Sequence, residues 1–238
     1  MKVEVWSDFA CPFCYIGKRR FEAGLQQFAH KDEIEVVYRS FELDPNALRD
    51  GNPDTYDMLA AKYGMSREQA AANTSQVAQQ AKSVGLDFHF DRTIQTNTFD
   101  AHRLAHYGAS KGKGAEITER LLRAHFTDTL HLGRQETLAD LAAEVGLDRE
   151  EAVRILKDGA FENEVRADEQ EAMQIGVRGV PFYVIDRKYA VSGAQPSEVF
   201  TQALQKAWDE AHPITVISGF AEGAVCDAGG CAPGDNRS

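Results

Sequence analysis

Four of the 238 residues are cysteines, and two of them, Cys11 and Cys14, lie in the stretch SDFACPFCYIGKRRFE at residues 7–22. A C-x2-C spacing serves three chemistries: metal ligation, a structural staple, or thiol–disulfide exchange. The staple is weak on physical grounds, because a disulfide closing so small a loop removes little chain entropy. Exchange needs one thiol that ionises readily and a second that waits. The thiolate is the attacking species, and a thiol of ordinary pKa near about 8.5 reaches roughly 3.5–7.5 when a C-x2-C motif opens a helix. A lowering of about two units corresponds to ~2.7 kcal/mol of preference for the thiolate. The elements around the pair therefore decide its chemistry.

Val3 and Val5 alternate with Lys2 and Glu4, the period of a strand. ACPFCYIGKRRFEAGLQQFA then reads as a helix, with Pro12 at its first position, where a missing N–H costs nothing. Cys11 falls at the strand–helix junction, where free N–H groups and the helix dipole favour an anion. Cys14, Phe21, Leu25 and Phe28 recur at helical spacings and share one apolar face. The expectation is a reachable Cys11, a buried Cys14, Trp6 in the core, and Phe13 as an exposed apolar contact for substrate. That asymmetry suits an attacking thiol and a sheltered resolving thiol.

Residues Ile34 to Phe41 read as a second strand, and Pro45, Asn46, Gly51, Asn52 and Pro53 mark a break. From about Thr55 to Gly176 the pattern is helical, each segment closing on a glycine or a turn. VPFYVID and KYAVSG follow as two short strands joined by a turn at Asp186 and Arg187, and PSEVFTQALQKAWDEA as a final amphipathic helix. The order defines an α/β fold: a thioredoxin-like core (β-α-β … β-β-α) with a large all-helical insertion. The core is expected over 1–54 and 177–211, the helical insertion over 55–176, and a C-terminal tail over 212–238. Pro181 opens a predicted strand, where proline is tolerated; an X–Pro bond is the only one that takes cis cheaply, and trans is its default.

CPFC after a strand, a helical insertion, and VPF before a closing β-β-α together resemble the DsbA family of thioredoxin-fold oxidoreductases. SDFACPFCYIGKRRFE, SFELDPN, TNTFDAHRLAHY and GVRGVPFYVI are most similar to its FrnE-type members, over roughly residues 1 to 211. The resemblance implies a cis-proline loop at Val180–Pro181 that faces the dithiol and presents backbone to a peptide substrate. It implies catalytic roles for Cys11, Cys14 and Pro181, with Pro12, Phe13, Val180 and Asn97 near the substrate. Some FrnE-type proteins carry a second cysteine pair after the fold, which makes Cys226 and Cys231 a candidate second redox pair; Gly229 and Gly230 leave the backbone between them free to close a small ring. Related branches are 2-hydroxychromene-2-carboxylate isomerases and kappa-class glutathione transferases, which use glutathione and typically carry serine at the first cysteine position. Members with a histidine inside the C-x2-C are strong oxidants; here the dipeptide is Pro12-Phe13. Keeping both cysteines points to dithiol exchange with protein or peptide thiols and disulfides, or with glutathione as redox partner, and to no other cofactor. A glutathione-dependent isomerase or transferase of small molecules is the alternative, and a non-catalytic, chaperone-like binding module a third class.

Composition narrows the partners. Lys plus Arg is 26 against 37 Asp plus Glu, a net charge of −11 without a basic run, so neither nucleic acid nor an anionic membrane is an expected partner. The sequence shows no secretory signal and no apolar run of about 18 residues. The expectation is a cytoplasmic protein, where structural disulfides are rare. A four-cysteine zinc site joining Cys11, Cys14, Cys226 and Cys231 fits ligand spacings but not the proline at a strand–helix junction, so no metal is expected. His102 and His106, at i and i+4, are expected on a solvated helix face, with Asn97 and Thr98 capping that helix. Asp8 has two readings: a carboxylate near a helix start, or a proton acceptor for Cys14.

Overall fold

The alternating valines form β1 (Lys2–Ser7), which runs directly into α1 (Pro12–Gln27) through Cys11. β2 (Glu35–Ser40) pairs with β1 in parallel, Val3 opposite Val36 and Ser7 opposite Ser40. A parallel pair needs a crossover, and α1 provides it. The structure, a computed structural model, describes residues 1–50, 54–213, 225–227 and 230–232. Gly51, Asn52 and Pro53, part of the expected break, and most of the expected tail lie outside the described residues.

Seven helices follow β2: α2 (Thr55–Tyr63), α3 (Arg67–Ser83), α4 (Phe99–Ser110), α5 (Gly114–Phe126), α6 (Gln135–Glu144), α7 (Arg149–Lys157) and α8 (Glu162–Gln174). Their starts are chemically marked in places, as where Ser66 and Gln69 make a reciprocal capping box for α3. The chain then returns as β3 (Phe182–Ile185), β4 (Tyr189–Ser192) and α9 (Ser197–Ala211). The sheet order is β2-β1-β3-β4, with β3 antiparallel to both neighbours. Asp186 and Arg187, at φ of 50° and 57°, make the tight turn between β3 and β4. The expected core, helical block and closing β-β-α are all present. Beyond them, within the tail, β5 (Val225–Asp227) and β6 (Gly230–Ala232) pair antiparallel with Cys226 opposite Cys231.

Helix α1 is sandwiched between two cores. Tyr15 and Ile16 pack into the helical block with Phe88, Leu104 and Leu121. Phe21 and Phe28 pack on the other side with Tyr183, Phe200 and Trp208. A helix buried on two faces is positioned from both, which fixes what its first turn presents. Gly24 permits the approach of α9: a Cβ there would fall 2.5 Å from the Ser197 carbonyl oxygen. On the side facing the helical block, Glu119 of α5 accepts from Lys18 (2.6 Å), Arg19 and the Tyr15 hydroxyl (2.6 Å). Burial alone would raise the Glu119 carboxyl; Arg19 and Lys18 override it and hold the group at about 2. The helical block is thus tied to the helix that carries the cysteines by charge as well as by apolar packing.

Candidate active site

Cys11 is the N-cap of α1, in extended conformation (φ −95°, ψ 112°), with Pro12 in the first turn. Its thiol donates to the Val180 carbonyl oxygen at 3.5 Å, and the Val180–Pro181 bond is cis. The loop is anchored beyond the proline by the Gly193 N–H donating to the Pro181 carbonyl at 2.8 Å. Gly17, one turn into α1, lets the helix approach this loop: a Cβ there would fall 2.8 Å from the Tyr183 hydroxyl and 2.9 Å from Pro181.

Cys14 is 2% exposed and its sulfur accepts from the Asp8 N–H at 3.4 Å. Burial pushes its thiol well above the ordinary cysteine range, the adjacent Cys11 pushes it further, and the Ser7 hydroxyl and the Asp8 amide oppose the shift. Cys11 is also buried, at 5%, which corrects the expectation of a sulfur at the surface. The reason is a cavity of about 560 Å³ between α1 and the helical block, on whose wall Cys11 lies and Cys14 does not. α2 and α3 line it with Met58, Leu59 and Val77, and Phe90, Phe126, Leu43 and Leu48 continue the apolar wall. Phe13, 39% exposed, stands at its edge with Tyr63 and Leu48, so the mouth carries an apolar collar. The asymmetry between the two sulfurs is therefore one of cavity access rather than of surface exposure.

Asp8 closes the cavity floor behind the cysteines. Its carboxylate accepts from the Leu43 N–H (2.7 Å), the Thr98 hydroxyl (2.8 Å) and the Ala10 N–H (3.2 Å). Nε2 of His102 lies 3.4 Å from Oδ1, within ion-pair reach but without hydrogen-bond alignment. Burial would raise the Asp8 carboxyl; His102, the Leu43 amide and the Thr98 hydroxyl override it and hold it below the usual range.

Three expectations fail here. His102 is 2% exposed, with its ring 4.8 Å from that of Phe9, and is not on a solvated face. His106 is half-sheltered and reaches Asp168 (3.0 Å) and Ser40 (3.1 Å). Helix α4 buries His102 and Arg103 as well as the apolar face of Ala101, Leu104, Tyr107 and Gly108, so it is enclosed on several sides and its polar residues lie inside too. The apolar pattern does not mark this, since Ala101, Leu104, Ala105 and Ala109 recur at spacings of three and four on a single face. Thr98 occupies the N-cap position of α4, but its hydroxyl serves Asp8 rather than the helix. Asn97 is turned away from the cavity: its amide donates to Glu42 (3.3 Å) and the Pro45 carbonyl (3.2 Å), and its oxygen accepts from the Phe99 N–H. Gln95, Thr96 and Thr98, not Asn97, are on the cavity wall. His125, wholly buried on α5, was not anticipated; burial pushes it down to about 4, with the Asp8 charge opposing. Among the described residues no three His, Cys, Asp or Glu side chains converge on a metal position.

A parallel β-α-β unit, an antiparallel return and a C-x2-C at the first helix start, facing a proline loop, define a thioredoxin-fold dithiol site. Residues 2–205 match the family model of the DSBA-like thioredoxin domain, and the chain belongs to that family. It is 47% identical to a probable DsbA oxidoreductase from Streptomyces coelicolor, with a TM-score of 0.85 over 98% of this chain and 100% of that one. A 2-hydroxychromene-2-carboxylate isomerase shares the fold at 16% identity and a TM-score of 0.69, covering 91% of this chain and 100% of that one. The cytosolic disulfide reductase DsbM from Pseudomonas aeruginosa, in a structure with glutathione, shares it at 15% identity and 0.61, covering 87% and 99%. No helix among the described residues is long and apolar enough to cross a membrane.

Proposed function

We propose that Cys11 and Cys14 are a redox pair that exchanges with protein or peptide disulfides and thiols in the cytoplasm. The observation that carries this reading is the unequal placement of the sulfurs, Cys11 on the cavity wall and Cys14 sealed behind it. Cys11, on the cavity wall, attacks a substrate disulfide as the thiolate, the form of a thiol that exchanges. Cys14 then displaces the substrate by attacking Cys11, forming the internal disulfide and releasing a substrate thiol. Pro12, Phe13 and the Val180–Pro181 backbone flank the substrate, and Asp8 helps move the proton of Cys14. Replacing Cys14 by serine tests the reading: substrate should remain covalently trapped on Cys11, and a variant that turns over at the wild-type rate would refute it.

A second reading has its own support. A cavity of about 560 Å³ falls in the range of small-molecule sites, roughly 300–1,000 Å³. Two fold relatives are a 2-hydroxychromene-2-carboxylate isomerase and a disulfide reductase seen with glutathione. On this reading the chain is a glutathione-dependent isomerase or transferase, glutathione is the cofactor, and Cys14 is dispensable. The Cys14→Ser variant therefore separates the two.

A further inference from the structure

The buried Cys14 must lose its proton when it closes the disulfide, and at that moment the substrate covers the front of the site. Behind it lies a second cavity, of about 320 Å³, that the dithiol reaction as described above does not use. Its floor is formed by buried Ser7, His102 and Thr118. Its mouth opens between exposed Glu35 at the β2 edge and exposed Gly112 and Glu116 at the α4–α5 turn. Both floor residues nearest the chemistry connect forward: the Ser7 side chain adjoins Cys14 and opposes the rise of its thiol, and His102 meets Asp8 at 3.4 Å.

The floor also holds polar atoms that the protein leaves unpaired. His102 Nε2 and Thr118 Oγ1 are buried without a hydrogen-bond partner among the described residues. A polar cavity admits water once it exceeds about 10–15 Å³ and offers two to four partners, and this one offers Ser7, Ser40, His102 and Thr118.

We propose that this rear cavity is the proton port of the dithiol: the proton released by Cys14 passes through Ser7 and the Asp8–His102 pair to water in the cavity, on the face opposite the substrate. The inference rests on the dithiol reading. In the step concerned, the Cys14 S–H bond breaks, its sulfur bonds to Cys11 and the bond from Cys11 to the substrate sulfur breaks. The substrate leaves as a thiolate, the cysteine pair is oxidised by two electrons, and the proton departs rearward. His102 is a positioning residue that acts through Asp8. Substrate reduction and proton release are then spatially separate.

The test follows both phases after mixing the reduced protein, with Cys226 and Cys231 replaced by serine, with an aromatic chromophoric disulfide. The bimolecular phase reports attack by Cys11 and the unimolecular phase reports closure by Cys14. His102→Ala should slow closure relative to attack by about 10- to 100-fold, within the reach of general acid–base effects. Added imidazole, which fits the space vacated, should restore closure in a concentration-dependent way beyond its effect on the parent protein. Ala105→Leu, which fills the cavity and keeps both histidines, should slow closure and, combined with His102→Ala, abolish the rescue. If His102→Ala does not fold, Ala105→Leu alone decides. Closure at the parent rate in the folded variants overturns the port, and absence of any closure phase in the parent sinks the dithiol reading itself.

Discussion

Adding one methyl group at Gly17 probes how the proline loop is seated. A Cβ at this position would lie 2.8 Å from the Tyr183 hydroxyl, 2.9 Å from Pro181 Cγ and 3.3 Å from the Ala194 methyl. Tyr183 has no room to retreat: it is 1% exposed, with the rings of Phe21 at 5.3 Å and Phe200 at 4.6 Å. Replacing glycine by alanine within a helix stabilises by about 1 kcal/mol. Overpacking a tight core costs about 1–3 kcal/mol. The contacts decide the sign, so Gly17→Ala should lose roughly 1 kcal/mol net, or about 2–4 °C in melting temperature for a chain of this size. Relief requires the loop and α1 to part by about half an ångström, and misplacement by about 1 Å can cost ~100-fold. Disulfide exchange should therefore fall by about tenfold, a larger effect than the stability loss implies. Urea unfolding and single-turnover exchange measure the two effects on one preparation. A variant about 1 kcal/mol more stable than the parent, exchanging at the parent rate, would refute the packing of α1 against the loop.

Three further outcomes follow from named groups. His125 is buried and neutral, held at about 4 against an ordinary value near 6.5. Its folded pKa lies below its unfolded one, so the unfolded chain binds the extra proton and stability drains as pH falls from about 6.5 to 4, by on the order of 3 kcal/mol from this group; His125→Phe should flatten the urea midpoint across that window, and an unchanged slope contradicts the assignment. Glu119→Ala leaves Lys18, whose side chain is 6% exposed, without its 2.6 Å partner on α5, and should cost about 1–3 kcal/mol in urea unfolding; a loss below a few tenths would mean the charges do not tie α1 to the helical block. Cys226 and Cys231 stand opposite each other in the β5–β6 ladder, where Cα atoms are ~4.5–5.5 Å apart, a span a disulfide bridges. As a second redox pair they should shift the equilibrium of Cys11–Cys14, so truncation after Phe220 should alter reductase activity and that equilibrium; identical values in both forms remove the tail from the chemistry.

What the sequence disclosed was local or chemically distinctive. The β1–α1 junction follows from alternation in Val3 and Val5, a proline at a helix start and the spacing of Cys14, Phe21 and Phe28. Each signal spans a few residues and depends on no distant partner. The burial of His102 depends on α4 being packed from several sides at once, which a single-face reading of i, i+4 spacing does not register. Asn97 illustrates the same limit: its neighbours Thr96 and Thr98 reach the cavity, while its own amide is claimed by Glu42, 55 residues away. The cavity that shelters Cys11 is built from α1, α2, α3 and the 43–48 loop, and no one of them announces it. Chemistry-bearing residues were legible; the walls that govern access to them are long-range and were not.

The central claim is tested most directly by equilibrating the protein, with Cys226 and Cys231 replaced by serine, in glutathione buffers of stepped ratio. After acid quenching, the Cys11–Cys14 disulfide is counted by mass. The account predicts one reversible two-electron transition, tenfold in the disulfide-to-dithiol ratio for each ~30 mV, with little mixed glutathione adduct at any step. A protein that accumulates a stable glutathione adduct on Cys11, with Cys14 left as a free thiol throughout, would contradict it.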